Sequence, residues 1–470
     1  MKKIPQVSII IVNYNGKHFL KECLSSVFNI DFPKSQYEII MVDNDSKDDS
    51  VDYVLKNFSE VKVVQSISNL GFAEGCNLGV KNALGNFVVF LNTDTKVERN
   101  WLKALVKSIK SDKGIGAVNS KLLLYNPFFE LLIHSDIFMR SDFSDSVNFQ
   151  SVGVLVESVI IDDDNLQPLV RYEKGFYENE YGIIPVRWTK GDASILIPVD
   201  PRKNTIGMTV TIRSGKSISG LETQIALKLG EKDLIVDKLK SYEVKQYKIS
   251  LETKELRKYL LYAVQNSGVV VFKNGYGRDR GAVVRGTTQF YEIDNPFFSQ
   301  KAEIHAFTGA SVIIRKEIFE KLGGFDDKYF MYYEDVDLGL RMQRQGYKIV
   351  YEPESVVYHI HSGSSKEWSR FFTYHVEKNH LATLVKHFPV NTILTGFTRY
   401  IGMLIISSLK MIKWRASEHW ELYDQWREKV EIRISVLMWI FQHFIYFAIK
   451  RMQINMSQKK SMAEIIKKLY

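Results

Sequence analysis

At 470 residues the chain exceeds what one hydrophobic core supports, so two or three modules are expected. A composition of 45% hydrophobic and 25% charged residues excludes a disordered chain, and two cysteines, Cys23 and Cys76, exclude a disulfide framework and suit a reducing compartment. The formal net charge is +9, yet 14 Lys and Arg against 6 Asp and Glu fall from Lys386 onward, so a nearly neutral body carries a basic tail.

The apolar run Val7 to Val12 is too short for a signal peptide and has no small-residue cleavage site after it. It reads instead as a strand buried on both faces. Leu20, Cys23, Leu24 and Val27 follow at helical spacing, Glu38 to Val42 is a second strand, and Val51, Val54, Leu55 and Phe58 mark a second helix. Val61 to Val64 and Phe87 to Leu91 are the third and fourth strands, and Leu102, Leu105, Val106 and Ile109 mark another helix. This alternation implies a parallel sheet, in which ligands bind beyond the carboxyl ends of the strands. Polar clusters fall there: Asn13-Tyr14-Asn15, Asp43-Asn44-Asp45-Ser46 and Asn92-Thr93-Asp94. A single carboxylate such as Asp94 can hold a hard divalent cation and leave room for phosphate oxygens, or it can cap the helix that follows. Between the third and fourth strands, Asn69-x-Gly71-Phe72-Ala73-x-Gly75-x-Asn77 has glycines that permit close backbone approach, as at a nucleotide site.

After Tyr125 the rhythm changes. The stretch Asn126 to Pro185 is ambiguous and is assigned no elements, whereas Ala193 to Val199, Met208 to Arg213, Ile225 to Leu229 and Val244 to Leu251 are short strands with turn residues between them. An inserted antiparallel sandwich over 126–264 is expected, either a carbohydrate- or acceptor-positioning module or a spacer. Helix and strand alternation is expected to resume near Gln265 and to run to about Pro389. The loop Asn274 to Gly281, with Arg278, suits an acceptor-side lid, including one for an anionic lipid diphosphate. Gly323-Gly324-Phe325-Asp326 leads into Phe330-Met331-Tyr332-Tyr333-Glu334-Asp335-Val336-Asp337, and Leu338, Arg341, Met342 and Gln345 continue at helical spacing. The acids therefore fall in a helix's first turn, where they complement its dipole or supply a general base. Tyr358-His359-Ile360-His361, after a strand Lys348 to Tyr351, adds two histidines suited to a metal. The tail, 390–470, holds apolar stretches Thr392 to Ile412 and Ile434 to Ile449. Both are expected to fall short of the ~20 apolar residues a spanning helix needs. Amphipathic helices lying on an anionic membrane surface are the expectation, with Trp414, Trp420, Trp426 and Trp439 at the interface. A helical cap packed on the catalytic body is the alternative, and nucleic acid is not expected as a partner.

Seven strings in this order resemble the family 2 glycosyltransferases of the GT-A fold: Ser8 to Asn15, Val42 to Ser46, Asn69 to Asn77, Asn92 to Thr95, Thr308 to Ala310, Gly323 to Leu338 and Tyr358 to His361. They cover nearly all of 1–125 and 265–385. The resemblance implies an α/β, Rossmann-like GT-A domain formed by 1–125 and 265–389, interrupted by the sandwich, of a rhamnosyltransferase-like bacterial or archaeal type. It implies inverting transfer of a sugar from a nucleotide-diphosphate donor to a glycan or lipid-linked acceptor in cell-surface polysaccharide or glycoconjugate synthesis, with a divalent metal, Mn2+ or Mg2+. The expected location is the cytoplasmic face of the cell membrane, held peripherally. Asn13, Asn15, Asp43, Asn44, Asn69, Gly71, Asn77, Asn92 and Thr93 would line the nucleotide-sugar site. Asp94 and His359 would hold the metal, Asp335 would be the base with Glu334 its neighbour, and Thr308, Gly309, Tyr332 and Arg278 would face the acceptor. Asn92 stands where the family's metal motif has its first acid, which lowers the charge of the site and gives His359 more weight. A catalytically weak sugar-nucleotide or glycan-binding protein on the same fold is the alternative. A nucleotidyltransferase would need a basic, glycine-rich loop after the first strand, which Asn13 to Lys17 does not supply.

Overall fold

The computed structural model describes residues 4–139, 151–177, 187–215, 222–285, 288–360 and 369–469. The chain divides into two compact units, one of Met1–Tyr125 with Val264–Tyr470 and one of Asn126–Ala263.

The first unit opens with β1 (Val7–Asn13), α1 (Lys17–Phe28), β2 (Tyr37–Asp43), α2 (Ser50–Asn57), β3 (Lys62–Gln65), α3 (Gly71–Lys81), β4 (Phe87–Leu91), β5 (Thr95–Val97), α4 (Trp101–Lys110) and β6 (Ile115–Leu124). Strands β1 and β2 pair in parallel from Val7↔Tyr37 to Asn13↔Asp43, and β1 also pairs in parallel with β4. Alternate residues of these strands feed two separate cores. Ile9, Ile11, Met41 and Val89 pack with α1 and α4, and Ile10, Ile40, Val42 and Phe90 pack with α3 on the other face. Both faces are covered, so the strands read as unbroken apolar runs, and polar residues are left to the strand ends.

In the second unit the chain forms β7 (Phe128–Ser135), β8 (Phe138–Met139), β9 (Ser151–Val152), β10 (Leu155–Ile161), β11 (Arg171–Phe176), β12 (Arg187–Pro198), β13 (Thr205–Arg213), β14 (Thr223–Leu229), β15 (Lys232–Leu239), β16 (Val244–Glu252) and a short α5 (Thr253–Leu256). All the pairings among its described residues are antiparallel, and Leu131, Ile133, Val210, Ile212, Ile249 and Leu251 share one core.

The chain returns to the first unit through β17 (Val264–Asn266), which pairs with β6, and then forms two hairpins, β18 (Val269–Val271) with β19 (Gly277–Asp279) and β20 (Ala282–Arg285) with β21 (Thr288–Tyr291). Then come β22 (Ala302–Glu303), β23 (Ser311–Arg315), α6 (Lys316–Lys321), α7 (Glu334–Arg344), β24 (Lys348–His359) and α8 (Arg370–His387). The expected helix–strand alternation therefore does not resume at Gln265: among the described residues the first α-helix after β17 is α6. Gly268, Gly275 and Gly281, all at positive φ, turn the chain every few residues and leave no room for a helical period. The sheet runs β22-β24-β6-β23-β4-β1-β2-β3, with β23 antiparallel to both β4 and β6. Strand β24 extends well past Tyr351. A register shift between Glu352 and Val356 carries it on to His359.

The tail forms α9 (Val390–Ala416), α10 (Trp420–Ser457) and α11 (Met462–Ile466). The expected shortfall in length is overturned. α9 has 27 residues and α10 has 38, with best windows of mean hydropathy 1.3 and 1.6, so both are long and apolar enough to cross a membrane by length and composition. Arg399, Lys410, Gln442 and His443 interrupt the apolar character but none breaks a helix. One side of the tail packs on the body. Ile432, Val436, Ile440 and Phe447 share a core with Tyr329, Val336 and Leu340. The opposite side is bare: Ile434, Met438, Phe441, Ile445, Ile449 and Met452 follow one stripe of α10 and are all exposed.

Candidate active site

The register of β1 with β2 puts Asn13 beside Asp43 at the carboxyl edge of the sheet. The Asn13 side-chain amide donates to Asp43 Oδ1 (3.2 Å) and Ser46 Oγ (3.0 Å), while its Oδ1 is buried with no partner. An orphaned buried carbonyl has a cost unless a ligand donor reaches it. Gly16 lies against it, and a Cβ there would stand 2.6 Å from Asn13 Oδ1 and 3.4 Å from Thr93 Oγ1. Asn15, at φ 52°, caps the edge through its Oδ1, which accepts from Lys47 N (2.7 Å).

The next residues hold the backbone rather than reach outward. Asn44 donates to Asn69 Oδ1 (3.0 Å) and Gly71 O (2.9 Å), and Asn69 Oδ1 also accepts from Gly71 N (2.9 Å). Gly71 is at φ 73°, and a Cβ there would meet the Phe330 carbonyl at 2.5 Å. Asn77 clamps Phe325 through both its amide and its carbonyl (2.9 and 3.0 Å). These contacts join α3 to the loops before α7.

Asp94 follows β4, and α4 begins only at Trp101 with Asn100 at its cap, so Asp94 does not cap that helix. Antiparallel pairing of Thr95 with His359 brings β5 onto β24, and His359 Nε2 stands 3.2 Å from Asp94 Oδ1. Gln265 Oε1 accepts from His359 Nδ1 (2.7 Å), which fixes the tautomer and turns Nε2 toward the carboxylate. Two electron-rich atoms this close need a proton or a cation between them. The pair thus fits a divalent ion with two protein ligands and the remaining positions left to phosphate oxygens. Among the described residues no group of three His, Cys, Asp or Glu could hold a metal. His361 lies outside the described residues. The Asn92 backbone N–H donates to Ala310 O (3.0 Å), and its carbonyl accepts from Thr95 Oγ1 (2.7 Å).

Helix α7 carries Glu334 and Asp335 in its first turn. Asp335 Oδ2 accepts from Gly309 N (3.2 Å) and Oδ1 from Val336 N (2.8 Å). Burial pushes the Asp335 carboxyl up to about 6, against the pull of those two N–H groups. Burial and the neighbouring Asp335 also raise the Glu334 carboxyl well above the usual carboxylate range. The Gly309 turn is held by Thr308 N donating to Asn119 Oδ1 (2.8 Å). Arg278 lies over the Phe272 ring (5.3 Å) on the β18–β19 hairpin, one residue from Gly277, whose N–H donates to Tyr333 Oη (3.3 Å).

The approach to α7 is strained. Phe330, Tyr332 and Tyr333 have φ values of 65°, 68° and 69°, a region that costs about 1–3 kcal/mol for each such residue. The Asn379 amide of α8 faces the carbonyls of Tyr329, Met331 and Tyr332 at 2.9, 2.8 and 2.7 Å and holds the loop in place. Behind it, buried Asp337 meets Arg341 (2.6 Å), Lys386 (2.8 Å) and His387 (2.8 Å), and Lys386 also meets Asp326 (2.6 Å). Burial alone would raise Asp337; the surrounding cations hold it well below the usual carboxylate range. Gln265, Asn119 and Asn379 were not singled out in the sequence. Gln265 and Asn119 had a signal, uncharged polar residues inside buried strands, whereas Asn379 in the middle of a helix had none.

Residues 8–121 match the family model described as glycosyl transferase family 2, and residues 254–378 match the one described as glycosyltransferase like family 2, together half of the chain. The chain belongs to the family 2 glycosyltransferases. Its fold is the GT-A fold: a mixed α/β domain with a central sheet, joined by additional sheets and C-terminal helices. Among curated proteins, this family 2 chain is 29% identical over 128 residues to the dolichyl N-acetyl-alpha-D-glucosaminyl phosphate 3-beta-D-2,3-diacetamido-2,3-dideoxy-beta-D-glucuronosyltransferase of Methanococcus voltae, covering 25% of this chain and 40% of that protein. It is 37% identical over 78 residues to the N-acetylglucosaminyl-diphospho-decaprenol L-rhamnosyltransferase of Mycobacterium tuberculosis, covering 17% and 24%. Among solved structures, a mannosyltransferase of Pyrobaculum calidifontis in complex with GDP-Man and Mn2+ matches 94% of this chain and 88% of that one at 13% identity and a TM-score of 0.39. The chain spans less than half the length of the curated relatives it matches.

Proposed function

We propose that this chain moves a sugar from a nucleoside-diphosphate sugar to a hydroxyl of a lipid-linked or glycan acceptor in the synthesis of a cell-surface polysaccharide or glycoconjugate, with inversion at the anomeric carbon. The observation that carries the reading is Asp335, a partly buried carboxylate held by two backbone N–H groups with its pKa raised to about 6. A base with a pKa near the working pH is matched to taking a proton from a hydroxyl. Asn13 Oδ1 and Asp43 would receive the donor's base and ribose at the sheet edge, and Gly71 would let the backbone approach the donor. Asp94 and His359 would hold a divalent ion that neutralises charge on the diphosphate leaving group. Asp335 Oδ2 accepts the acceptor's proton as its oxygen bonds to the anomeric carbon. The bond to the diphosphate oxygen breaks on the opposite face, and no enzyme nucleophile is needed.

The acceptors in the two relatives' names, a dolichyl phosphate sugar and a diphospho-decaprenol sugar, support a lipid-linked acceptor. The tail supports a membrane-surface location. The body side of α10 meets Asp326 through Tyr446 (2.9 Å), and Trp439 lies under the Lys378 ammonium (4.4 Å). A helix fastened to charged groups along one side suits the interface better than the bilayer core.

The test is a transfer and donor-hydrolysis assay over a panel of nucleotide sugars with wild-type and Asp335→Asn protein. The variant is expected to bind donor normally and to lose ~100- to 10,000-fold in turnover. Near wild-type turnover would remove Asp335 from the role. Absence of turnover by the wild-type chain with any donor, alongside normal nucleotide binding, would favour a sugar-nucleotide-binding protein instead.

A further inference from the structure

Between the turn Phe272–Gly277 and the first half of α9 lies a cavity of about 250 Å3. Its α9 wall is one helix face, Asn391, Thr395, Arg399 and Met403, spaced four residues apart. The opposite wall is Lys273, Asn274 and Tyr276. Two glycines allow the walls to close on the same residue of α8: a Cβ at Gly275 or at Gly396 would stand 2.5 or 2.4 Å from a Leu384 methyl carbon.

The charge in this cavity is uncompensated. Lys273 and Arg399 both line it, no Asp or Glu does, and neither cation makes an ion pair among the described residues. Behind Tyr400, Glu377 accepts from Tyr400 Oη (2.6 Å) and is engaged by Arg433 (3.7 Å). The Asn274 side-chain Oδ1 accepts from Tyr276 N (3.1 Å), which shapes the turn that forms this wall. Two cations without an ion pair among the described residues, lining one small recess, suit an oxyanion of high charge. A free anion explains less of the setting. On that side of α9 beyond Arg399, Met403 and the exposed Ile406 and Leu409 continue for roughly 15 Å, an apolar track leading away from the charged recess.

Packed rings connect the wall of the recess to the start of α7. Tyr276 stacks on His380 (3.8 Å, 17°), His380 faces the Tyr333 ring (6.1 Å), and the Gly277 N–H meets Tyr333 Oη. Tyr333 immediately precedes Glu334 and Asp335. We propose that this cavity binds the phosphate or diphosphate of the lipid-linked acceptor, with the lipid chain laid along α9 and the attached sugar presented toward Asp335. Lys273 and Arg399 bind the oxyanion, and the donor's own phosphates belong to the separate Asp94–His359 edge. This deepens, and rests on, the transfer to a lipid-linked acceptor proposed above.

The test uses the full-length chain in detergent micelles and calorimetric titration with farnesyl diphosphate, inorganic pyrophosphate and farnesol. Farnesyl diphosphate is expected to bind more tightly than either control. Lys273→Ala and Arg399→Ala are each expected to weaken it by ~10- to 100-fold, as loss of a charge-assisted hydrogen bond does. Thr395→Trp, which fills the recess and keeps both cations, is expected to remove binding. Unchanged melting temperatures show that the variants fold. Equal binding in wild type and all three variants overturns the site, and pyrophosphate binding as tightly as farnesyl diphosphate overturns the lipid assignment. Wild-type protein that turns over a nucleotide sugar but does not bind farnesyl diphosphate overturns this site and leaves the transfer reading standing. Binding through these two cations without turnover of any donor does the reverse.

Discussion

A carboxylate that titrates near 6 is protonated over a range in which an ordinary aspartate is charged. Burial raises Asp335 to about 6, and only its anion can accept a proton. The rate constant kcat/KM is therefore expected to rise about tenfold per pH unit up to that value and to level off above it. A pH profile of transfer checks this, and a flat profile from pH 4.5 to 7.5 would separate Asp335 from the proton transfer. At the metal edge, Gln265 touches no substrate in this scheme. It fixes which nitrogen of His359 faces Asp94. Gln265→Leu is expected to weaken metal-dependent nucleotide-diphosphate binding ~10- to 100-fold, with metal-free binding unaltered. Calorimetry with and without Mn2+ reads the difference. Asp94→Ala and His359→Ala are expected to abolish the metal effect, and a metal effect equal to wild type in both would dismiss the ion from this pair.

Among the elements, α7 and its lead-in show how strain is held for use. Three non-glycine residues at positive φ persist because one amide, Asn379, gathers three carbonyls. Asn379→Ala is expected to release the loop, lower stability by about 1–3 kcal/mol and reduce turnover by ~100-fold through misplacement of Asp335. Normal turnover with a lowered melting temperature would mean the strain serves stability alone. The sequence announced α7 and its acids, because an acid-rich first turn before helical spacing is a local pattern. It announced the strands β1 to β4 as well, since burial on both faces leaves unbroken apolar runs. It could not announce Asn379 or the His359–Gln265 bond, where the partners are 94 residues apart in the latter case and joined only by the pairing of β6 with β17 and β24. The stretch from Gln265 to β23 misled because hairpin residues such as Val269 to Val271 carry the same apolar signal as a strand in a β–α–β repeat. The tail was read from side-chain composition, which marks where apolar runs stop and not where a helix stops.

For the whole molecule, the two-sided tail sets the form of the membrane test. Removing everything after Pro389 would strip Ile440, Phe447 and Tyr400 from a core shared with α7, so substitution is the cleaner route. Full-length protein is expected to sediment with anionic vesicles and to release only partly in high salt, because basic residues contribute ~1 kcal/mol each near the surface while apolar burial is insensitive to salt. Phe441→Ser with Ile445→Ser, both on the exposed stripe, is expected to make release in salt complete. Unaltered sedimentation in high salt would mean the stripe does not face lipid, and retention of wild type after alkaline carbonate would mean that a tail helix crosses. The order of strands has a consequence of another kind, for biosynthesis. Strand β23 fills the slot between β4 and β6, yet it leaves the ribosome ~190 residues after β6. At ~5–20 residues per second, those two apolar strand edges stand open for about 10–40 s, which makes the nascent amino-terminal half a natural client for chaperones and a fragment ending at Tyr125 prone to aggregate.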